Sequence, residues 1–175
     1  MPAARSRGAI RSAIRGRGFT LRELIIVMVI VGIISAIALS RTSNDPVMLS
    51  TQVDQLAGDI RYVQTLAMTQ GQRYIVSFPS ASSYRFLDSA GNPVVHPANG
   101  SNAAIVLGAG ATLALAATAP VGNALGFDGR GIPYSVTTPA ATFNGPLTAA
   151  ATVALTKGTV TQSVTVTHQT GRVTP

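Results

Sequence analysis

An uncharged apolar run near the N-terminus constrains this chain more than any other feature of its sequence. From Leu24 to Leu39 sixteen consecutive residues carry no charge, and at about 1.5 Å per residue they would form a helix of roughly 24 Å. This is somewhat short of the ~20 residues that span a bilayer, so a spanning helix would include residues 19–23 and place Glu23 near one membrane face. A carboxylate beside hydrocarbon costs at least about 2.5 kcal/mol, which indicates that Glu23 has a function.

The residues before this run form a basic leader. Residues 1–18 contain five arginines and no acid, and cationic flanks stay on the cytoplasmic side of a membrane, so the C-terminus would lie outside. A secretory signal has its small-residue cleavage site after the apolar stretch, whereas here the small residue, Gly18, precedes it. Cleavage at Gly18 would leave the apolar helix on the mature protein; an uncleaved signal anchor is the alternative.

Residues 18–24, GFTLREL, resemble the class III signal of type IV pilins and type II secretion pseudopilins. The resemblance implies that a prepilin peptidase cleaves after Gly18 and methylates the new N-terminal residue, Phe19. It also implies that Glu23 pairs with the N-terminal amine of a neighbouring subunit during filament assembly. Arg22 departs from the apolar residue that is usual at its position.

The net charge belongs largely to the leader. The whole chain has 13 basic and 6 acidic residues, for a net charge of +7. Without the five leader arginines, eight basic residues face six acidic ones, for +2, so the basic composition is a poor argument for nucleic-acid binding. The chain has no cysteine, which excludes a disulfide framework and a thiolate metal site.

A second helix is predicted after the apolar run. Its apolar residues recur at alternating steps of four and three, which places them on one stripe: Leu49, Val53, Leu56, Ile60, Val63 and Ala67. Asp45 with Pro46 is the expected start and Gly71 the expected stop. The stripe lasts under three heptads, so we expect it to pack on the chain's own sheet rather than in a coiled coil. Residues 56–72 are similar to the FimT/GspH-like branch of minor pilins.

The composition of residues 73–175 predicts short strands separated by turns. The predicted strands are 73–78, 84–88, 103–107, 112–116, 124–127, 132–136, 151–156 and 159–168. Turns are expected at 89–93, 128–131 and 157–158, and residues 111–119 could also be helical on propensity alone. An antiparallel sheet or a two-sheet sandwich follows.

These elements predict an α+β, pilin-like fold, in which a long N-terminal transmembrane helix continues into an amphipathic helix packed on antiparallel β-structure. The predicted divisions are a cleaved leader at 1–18, a transmembrane assembly helix at 19–40, a linker and amphipathic helix at 41–72, and a β-rich periplasmic domain at 73–175.

Neither catalysis nor metal binding is indicated. His96 and His168 lack convergent carboxylates or a second ligand at close spacing, and both are expected to be exposed polar residues. Asp128 begins an Asp-Gly-Arg-Gly segment that lacks the further oxygen ligands of a calcium loop, so a turn is expected there. No enzymatic activity, cofactor or metal is predicted.

The C-terminus supports a sharper hypothesis. Some FimT-like minor pilins are DNA receptors through a terminal Gly-Arg-x-Arg pattern, which Gly171 and Arg172 match, but Thr174 stands in place of the second arginine. DNA affinity depends on several neutralised phosphates, and only Lys157 and Arg130 could add to Arg172. DNA contact is therefore less expected than a solvated arginine at a strand end.

The resemblance and the pattern together predict a minor pilin that forms or primes the tip of a type IV pilus. The alternatives are a minor pseudopilin of a type II secretion system and a DNA-capturing minor pilin. The expected partners are other pilins or pseudopilins, prepilin peptidase, the assembly platform and the inner membrane, with DNA as the least expected. The chain would cross the bacterial inner membrane once before it enters a pilus or pseudopilus.

Overall fold

Two helices precede ten strands in the computed structural model, which describes residues 20–39, 45–108, 110–116 and 122–175. The chain divides into two compact units, with the boundary between Ser43 and Asn44. Helix α1 (Leu21–Leu39) belongs to the first unit, and every other element belongs to the second. The predicted continuation of one helix into the other falls on residues 40–44, which lie outside the described residues.

Helix α2 (Asp45–Gln70) has the predicted bounds and the predicted buried face. All six residues of the apolar stripe are at most 3% exposed. The helix ends at Gly71, which takes φ +64°, and the N–H of Gln72 returns to the carbonyl of Ala67 at 3.2 Å. This is the Schellman arrangement, for which glycine is favoured because a Cβ atom disfavours positive φ.

The strands form two antiparallel sheets. The six-stranded sheet has the order β3-β2-β1-β5-β6-β7 and the four-stranded sheet the order β10-β9-β8-β4. The strands are β1 (Tyr74–Ser80), β2 (Ser83–Asp88), β3 (Ile105–Val106), β4 (Thr112–Ala116), β5 (Ala124–Phe127), β6 (Pro133–Thr137), β7 (Thr142–Pro146), β8 (Ala151–Lys157), β9 (Val160–Val166) and β10 (Val173–Thr174). The predicted α+β class is confirmed, with antiparallel β-structure in two sheets.

Two of the predicted turns connect neighbouring strands of one sheet. Residues 128–131 join β5 to β6, and Gly158 at φ +60° joins β8 to β9. Residues 112–116 form a strand rather than a helix. Residues 117–119 of that prediction lie outside the described part of the chain.

Two strands were not predicted from the sequence. Strand β7 reads Thr-Phe-Asn-Gly-Pro, a composition typical of a turn, and is held by its pairing with β6. Strand β10 has only two residues, too few for any periodicity. Strand β9 ends at Val166, so His168 lies in the following turn rather than at the end of the strand.

The main core lies where α2 meets both sheets. Its largest fully buried side chains are Tyr84, Phe86, Phe127, Leu49, Leu56 and Ile60. A smaller apolar cluster covers the opposite face of the six-stranded sheet and consists of Ile75, Leu87, Ala124, Val136 and Ala141. Because successive residues of a strand point to opposite faces, one sheet supplies both clusters.

Candidate functional site: the N-terminal helix and the C-terminal turn

Helix α1 begins at a threonine cap. The backbone N–H of Glu23 lies 3.0 Å from the carbonyl oxygen of Thr20 and 3.3 Å from its Oγ1. The N–H of Leu24 reaches the same carbonyl at 3.2 Å. A threonine at the N-cap satisfies backbone donors that the first turn leaves open. The cap fixes where the helix starts, at Leu21.

Glu23 occupies the first turn of α1, three residues after the cap. A carboxylate at this position is stabilised by the partial positive charge of the helix N-terminus, and the Thr-x-x-Glu spacing is that of a capping box. The Glu23 side chain is exposed. The first turn of α1 therefore stabilises Glu23, and the exposed carboxylate is accessible to a cation from another molecule.

The apolar side chains of α1 are exposed on all sides. Its large apolar residues between Leu21 and Ile34 are 46% to 77% exposed, and Arg22 and Glu23 are its charged residues. A helix that is apolar all round is normally buried in a large core or in a membrane. Among the described residues, no helix meets the length and hydropathy required of a membrane-crossing span. The predicted cleavage and methylation residues, Gly18 and Phe19, lie outside the described residues.

The predicted DNA contact lies in the turn between β9 and β10. Gly171 is buried at φ +64°, and its N–H donates to the carbonyl of Thr167 at 2.9 Å. Arg172 is exposed. Its carbonyl accepts the N–H of Thr167 at 2.9 Å. The turn is therefore closed by its backbone, and the Arg172 side chain reaches solvent.

Helix α2 holds this turn in place. The Gln64 amide donates to the carbonyls of Gly131 at 2.9 Å and Thr170 at 3.3 Å. The Arg61 guanidinium donates to the carbonyl of Val173 at 2.9 Å. The β5–β6 turn and the β9–β10 turn thus meet at Gln64, which brings Arg130 and Arg172 onto adjoining turns.

Lys157, the third basic residue of the DNA-contact hypothesis, lies away from the C-terminal turn. Lys157 contacts the sulfur of Met48 at 3.7 Å, and Met48 precedes Gln64 by sixteen residues, or about 24 Å along a helix. Arg130 is 3.3 Å from Asp128 Oδ2, with which it forms an ion pair. The structure therefore brings Arg130 close to Arg172 but not Lys157, and Arg130 is already partly neutralised.

Asp128 organises the turn at residues 128–131, which lacks the ligands of a calcium loop. One carboxylate oxygen accepts the N–H groups of Arg130 and Ile132, each at 2.9 Å. Partial burial acts to raise the pKa of this carboxyl, but these two N–H groups and the Arg130 guanidinium outweigh it and lower the pKa. Within residues 20–39, 45–108, 110–116 and 122–175, no group of three or more metal-ligating side chains converges.

The prediction that His96 is an exposed polar residue is wrong. His96 is 5% exposed, and its ring stacks on that of Phe86 with a centroid distance of 5.2 Å. Its Nε2 lies 3.0 Å from Oδ1 of Asp59. The adjacent Pro97 marked a loop correctly, but nothing in the local sequence shows that the loop folds back onto α2.

His96 belongs to a polar cluster with Asp59 and Tyr84. The Tyr84 hydroxyl donates to Oδ2 of Asp59 at 2.6 Å. Nδ1 of His96 accepts the N–H of Ala98 at 3.1 Å, which assigns the ring proton to Nε2 and makes that nitrogen the donor to Asp59. Burial raises the pKa of Tyr84, and the hydrogen bond and charge of Asp59 raise it further. Every polar atom of the cluster has a partner, so it acts as a structural clasp between α2, β2 and the following loop.

Comparison with known proteins defines the class of the N-terminus. Residues 15–39 match the family described as the prokaryotic N-terminal methylation motif. The match confirms the prepilin-type signal that the sequence predicts at the N-terminus. The motif indicates a substrate of prepilin peptidase. It covers one seventh of the chain.

Two solved structures resemble the chain weakly. The type IV minor pilin FimU of Pseudomonas aeruginosa is 14% identical, over 72% of this chain and 86% of that chain, with a TM-score of 0.49. The minor pseudopilin EpsH from the type 2 secretion system of Vibrio cholerae is 12% identical, over 72% of this chain and 94% of that chain, with a TM-score of 0.48. At these TM-scores the likeness carries no argument about function. No curated protein is significantly similar to the chain.

Proposed function

We propose that the chain is a minor pilin, a non-catalytic subunit that joins or primes the tip of a type IV pilus through its N-terminal helix. The methylation motif over residues 15–39 carries this proposal, since it combines the leader, the cleavage position and the apolar helix. The exposed apolar surface of α1 adds to it, because such a surface requires cover from a membrane or from other subunits.

In this proposal prepilin peptidase removes residues 1–18 at the inner membrane and methylates Phe19. The new amine then lies four residues before Glu23, just outside the Thr20 cap. The C-terminal unit then lies in the periplasm, and the longer apolar segment predicted over residues 19–40 crosses the membrane until the assembly platform moves the subunit into a filament.

Glu23 supplies the register of assembly. Bringing an ionised group into a low-dielectric environment costs several kcal/mol, and removing one partner of a buried pair leaves that cost uncompensated. A subunit whose Glu23 meets the N-terminal amine of a neighbour avoids the cost, whereas a subunit shifted along the filament axis does not. Pairing therefore selects one axial position.

The test separates processing from assembly. In a strain that expresses only the variant, Glu23→Ala is expected to be cleaved and inserted normally but to be lost from sheared filaments. Arg22→Ala, which removes the neighbouring charge, is the matched control and is expected to be retained. Normal incorporation of Glu23→Ala contradicts the pairing mechanism.

The cleavage site has its own test. Gly18→Leu is expected to block the peptidase, so that a precursor longer by 18 residues accumulates on a gel. Mass spectrometry of the native product is expected to show methylated Phe19 at its N-terminus. A native product that keeps residues 1–18 refutes the proposed function.

The same steps would serve a minor pseudopilin of a type II secretion system. The two roles differ in what fails when the chain is deleted. Loss of surface pili with normal protein secretion supports the pilus, and loss of secretion with normal pili supports the pseudopilus.

A further inference from the structure

A small pocket opens on the face of the six-stranded sheet that α2 does not cover. Its volume is about 270 Å³. It is lined by Ser77 and Phe78 of β1, Arg85 of β2, Asn123, and the Thr138–Pro139 segment after β6. We call it the Arg85 pocket.

Strand alternation directs Arg85 to this face. Its neighbours Tyr84 and Phe86 lie in the main core, and Leu87 lies in the smaller cluster on the opposite face. Since successive side chains alternate, Arg85 shares the face of Leu87. Ser77 is its register partner on β1.

Arg85 is a half-buried cation without a partner. Its Nε is buried and has no hydrogen-bond partner, and its side chain makes no ion pair with the described residues. A buried donor left unsatisfied destabilises the folded state, and more so when the group is charged. Among the described residues no acceptor is supplied to this donor, so the guanidinium is available to a carboxylate from outside the chain.

The Asn123 side chain on the pocket wall is already engaged by Thr138. The Asn123 side-chain oxygen accepts the N–H of Thr138 at 2.8 Å, and its amide nitrogen donates to the Thr138 carbonyl at 3.1 Å. These bonds fix the wall opposite Arg85. None of the described lining residues is acidic, so the positive charge is not neutralised from within the pocket.

The chemistry of the lining favours a carboxylate. A guanidinium binds the two oxygens of a carboxylate through parallel hydrogen bonds, and the Ser77 hydroxyl, 2% exposed and opposite Arg85 in register, supplies a further rotatable donor. Pro139 gives an apolar wall that lowers the local dielectric and strengthens the charge interaction. A phosphate carries a charge of about −1.5 to −2, which the single cation of this pocket neutralises only in part.

The size of the pocket favours a side chain over a free metabolite. Small-molecule sites have volumes of about 300–1,000 Å³, and this pocket is below that range. We propose that the Arg85 pocket binds the carboxylate of an aspartate or glutamate side chain presented by a protein partner. The inference rests on the C-terminal unit alone and does not depend on the proposed function.

The direct test observes the guanidinium itself. The full chain is labelled with ¹⁵N-arginine, placed in zwitterionic detergent micelles and titrated with N-acetyl-aspartate N-methylamide, while the Nε–H resonances are recorded. The Arg85 resonance, assigned by its loss in Arg85→Lys, is expected to shift and saturate with a Kd of roughly 1–10 mM. The asparagine analogue, which has no charge, is expected to leave it unchanged.

Variants separate geometry from charge. With uniformly labelled protein and the backbone amides of Ser77 and Asn123 as readout, Arg85→Lys is expected to weaken binding at least about tenfold, because lysine lacks the planar fork. Arg73→Lys is the matched control. Arg73 lies 5.3 Å and 4.8 Å from the rings of Tyr134 and Phe143, outside the pocket lining, and its loss should leave the titration unchanged.

Three results would overturn the proposal. The first is that no arginine Nε–H resonance of the wild-type chain responds to the aspartate compound, a result that needs no variant to fold. The second is a response to inorganic phosphate at lower concentration than to the aspartate compound, which would mean a general anion site. The third is equal affinity in Arg85→Lys, which would mean that charge alone attracts the ligand.

Discussion

Removing the Tyr84 hydroxyl tests the energetics of the clasp between α2 and β2. In Tyr84→Phe the ring, which is 1% exposed, keeps its packing, while Asp59 loses the donor at 2.6 Å. A hydrogen bond to a charged group contributes about 1.5–3 kcal/mol. The Asp59 side chain is only 13% exposed, so little water can replace the hydroxyl, and we expect the free energy of unfolding to fall by about that amount.

The same substitution has a pH signature with a defined sign. The pKa of Tyr84 is raised in the folded state above its ordinary value of 10.0, so above about pH 10 the unfolded chain loses a proton that the folded chain keeps. The unfolded state then binds fewer protons, and stability falls by up to about 1.4 kcal/mol per pH unit. The difference between wild type and Tyr84→Phe is therefore expected to be constant at neutral pH and to shrink above pH 10.

Urea unfolding of the full chain in mild detergent, followed by circular dichroism, measures both effects. The chain has no tryptophan, so fluorescence is a poor probe. A lower midpoint with an unchanged slope reports lost stability. Tyr62→Phe is the matched control, because the Tyr62 ring also packs on Phe86 and its hydroxyl has no partner among the described residues. Equal midpoints for wild type and Tyr84→Phe would refute the reasoning.

Two further predictions concern the C-terminal turn. Gly171→Ala would force a Cβ onto a backbone at φ +64°, against the Gln64 amide and 2.5 Å from the carbonyl oxygen of Gly131; we expect a loss of about 2–3 kcal/mol, seen as a lower melting temperature, and a wild-type melt would contradict this. Arg172→Ala should leave stability and DNA retardation of the full chain unchanged, since one exposed arginine neutralises at most about one phosphate. Salt-sensitive retardation that is lost in Arg172→Ala would instead support the DNA-capturing alternative.

The spacing of apolar residues predicted those helices and strands that bury one face. The apolar stripe of α2 could be predicted because each of its residues packs against a sheet. The ends of the helix could be predicted because proline at the start and glycine at the stop act on the local backbone. Most strands were readable for the same reason. Strand β7 was not, because pairing with β6 overrides its turn-like composition.

The parts of the site that depend on distant contacts could not be predicted. His96 is buried because its loop returns to Asp59, 37 residues earlier in the chain, and no local pattern encodes that return. The Arg85 pocket requires β1, β2 and the segment after β6 to meet, so a single arginine in a strand gave no sign of it. Arg61 and Gln64 of α2 anchor the C-terminal turn through contacts with residues at least 67 positions away, which the apolar stripe does not predict.

The sheet edges bear on how such a chain avoids unwanted fibrils. An open edge exposes backbone donors and acceptors that can recruit a strand from another molecule, and short or interrupted edge strands suppress this. Here β3 and β10 are two residues long, and β7 ends in a proline, which has no N–H to offer. Three of the four sheet borders therefore give amyloid-like growth little template, and at the fourth, β4, the N–H of Leu113 is already donated to the carbonyl of Ala81.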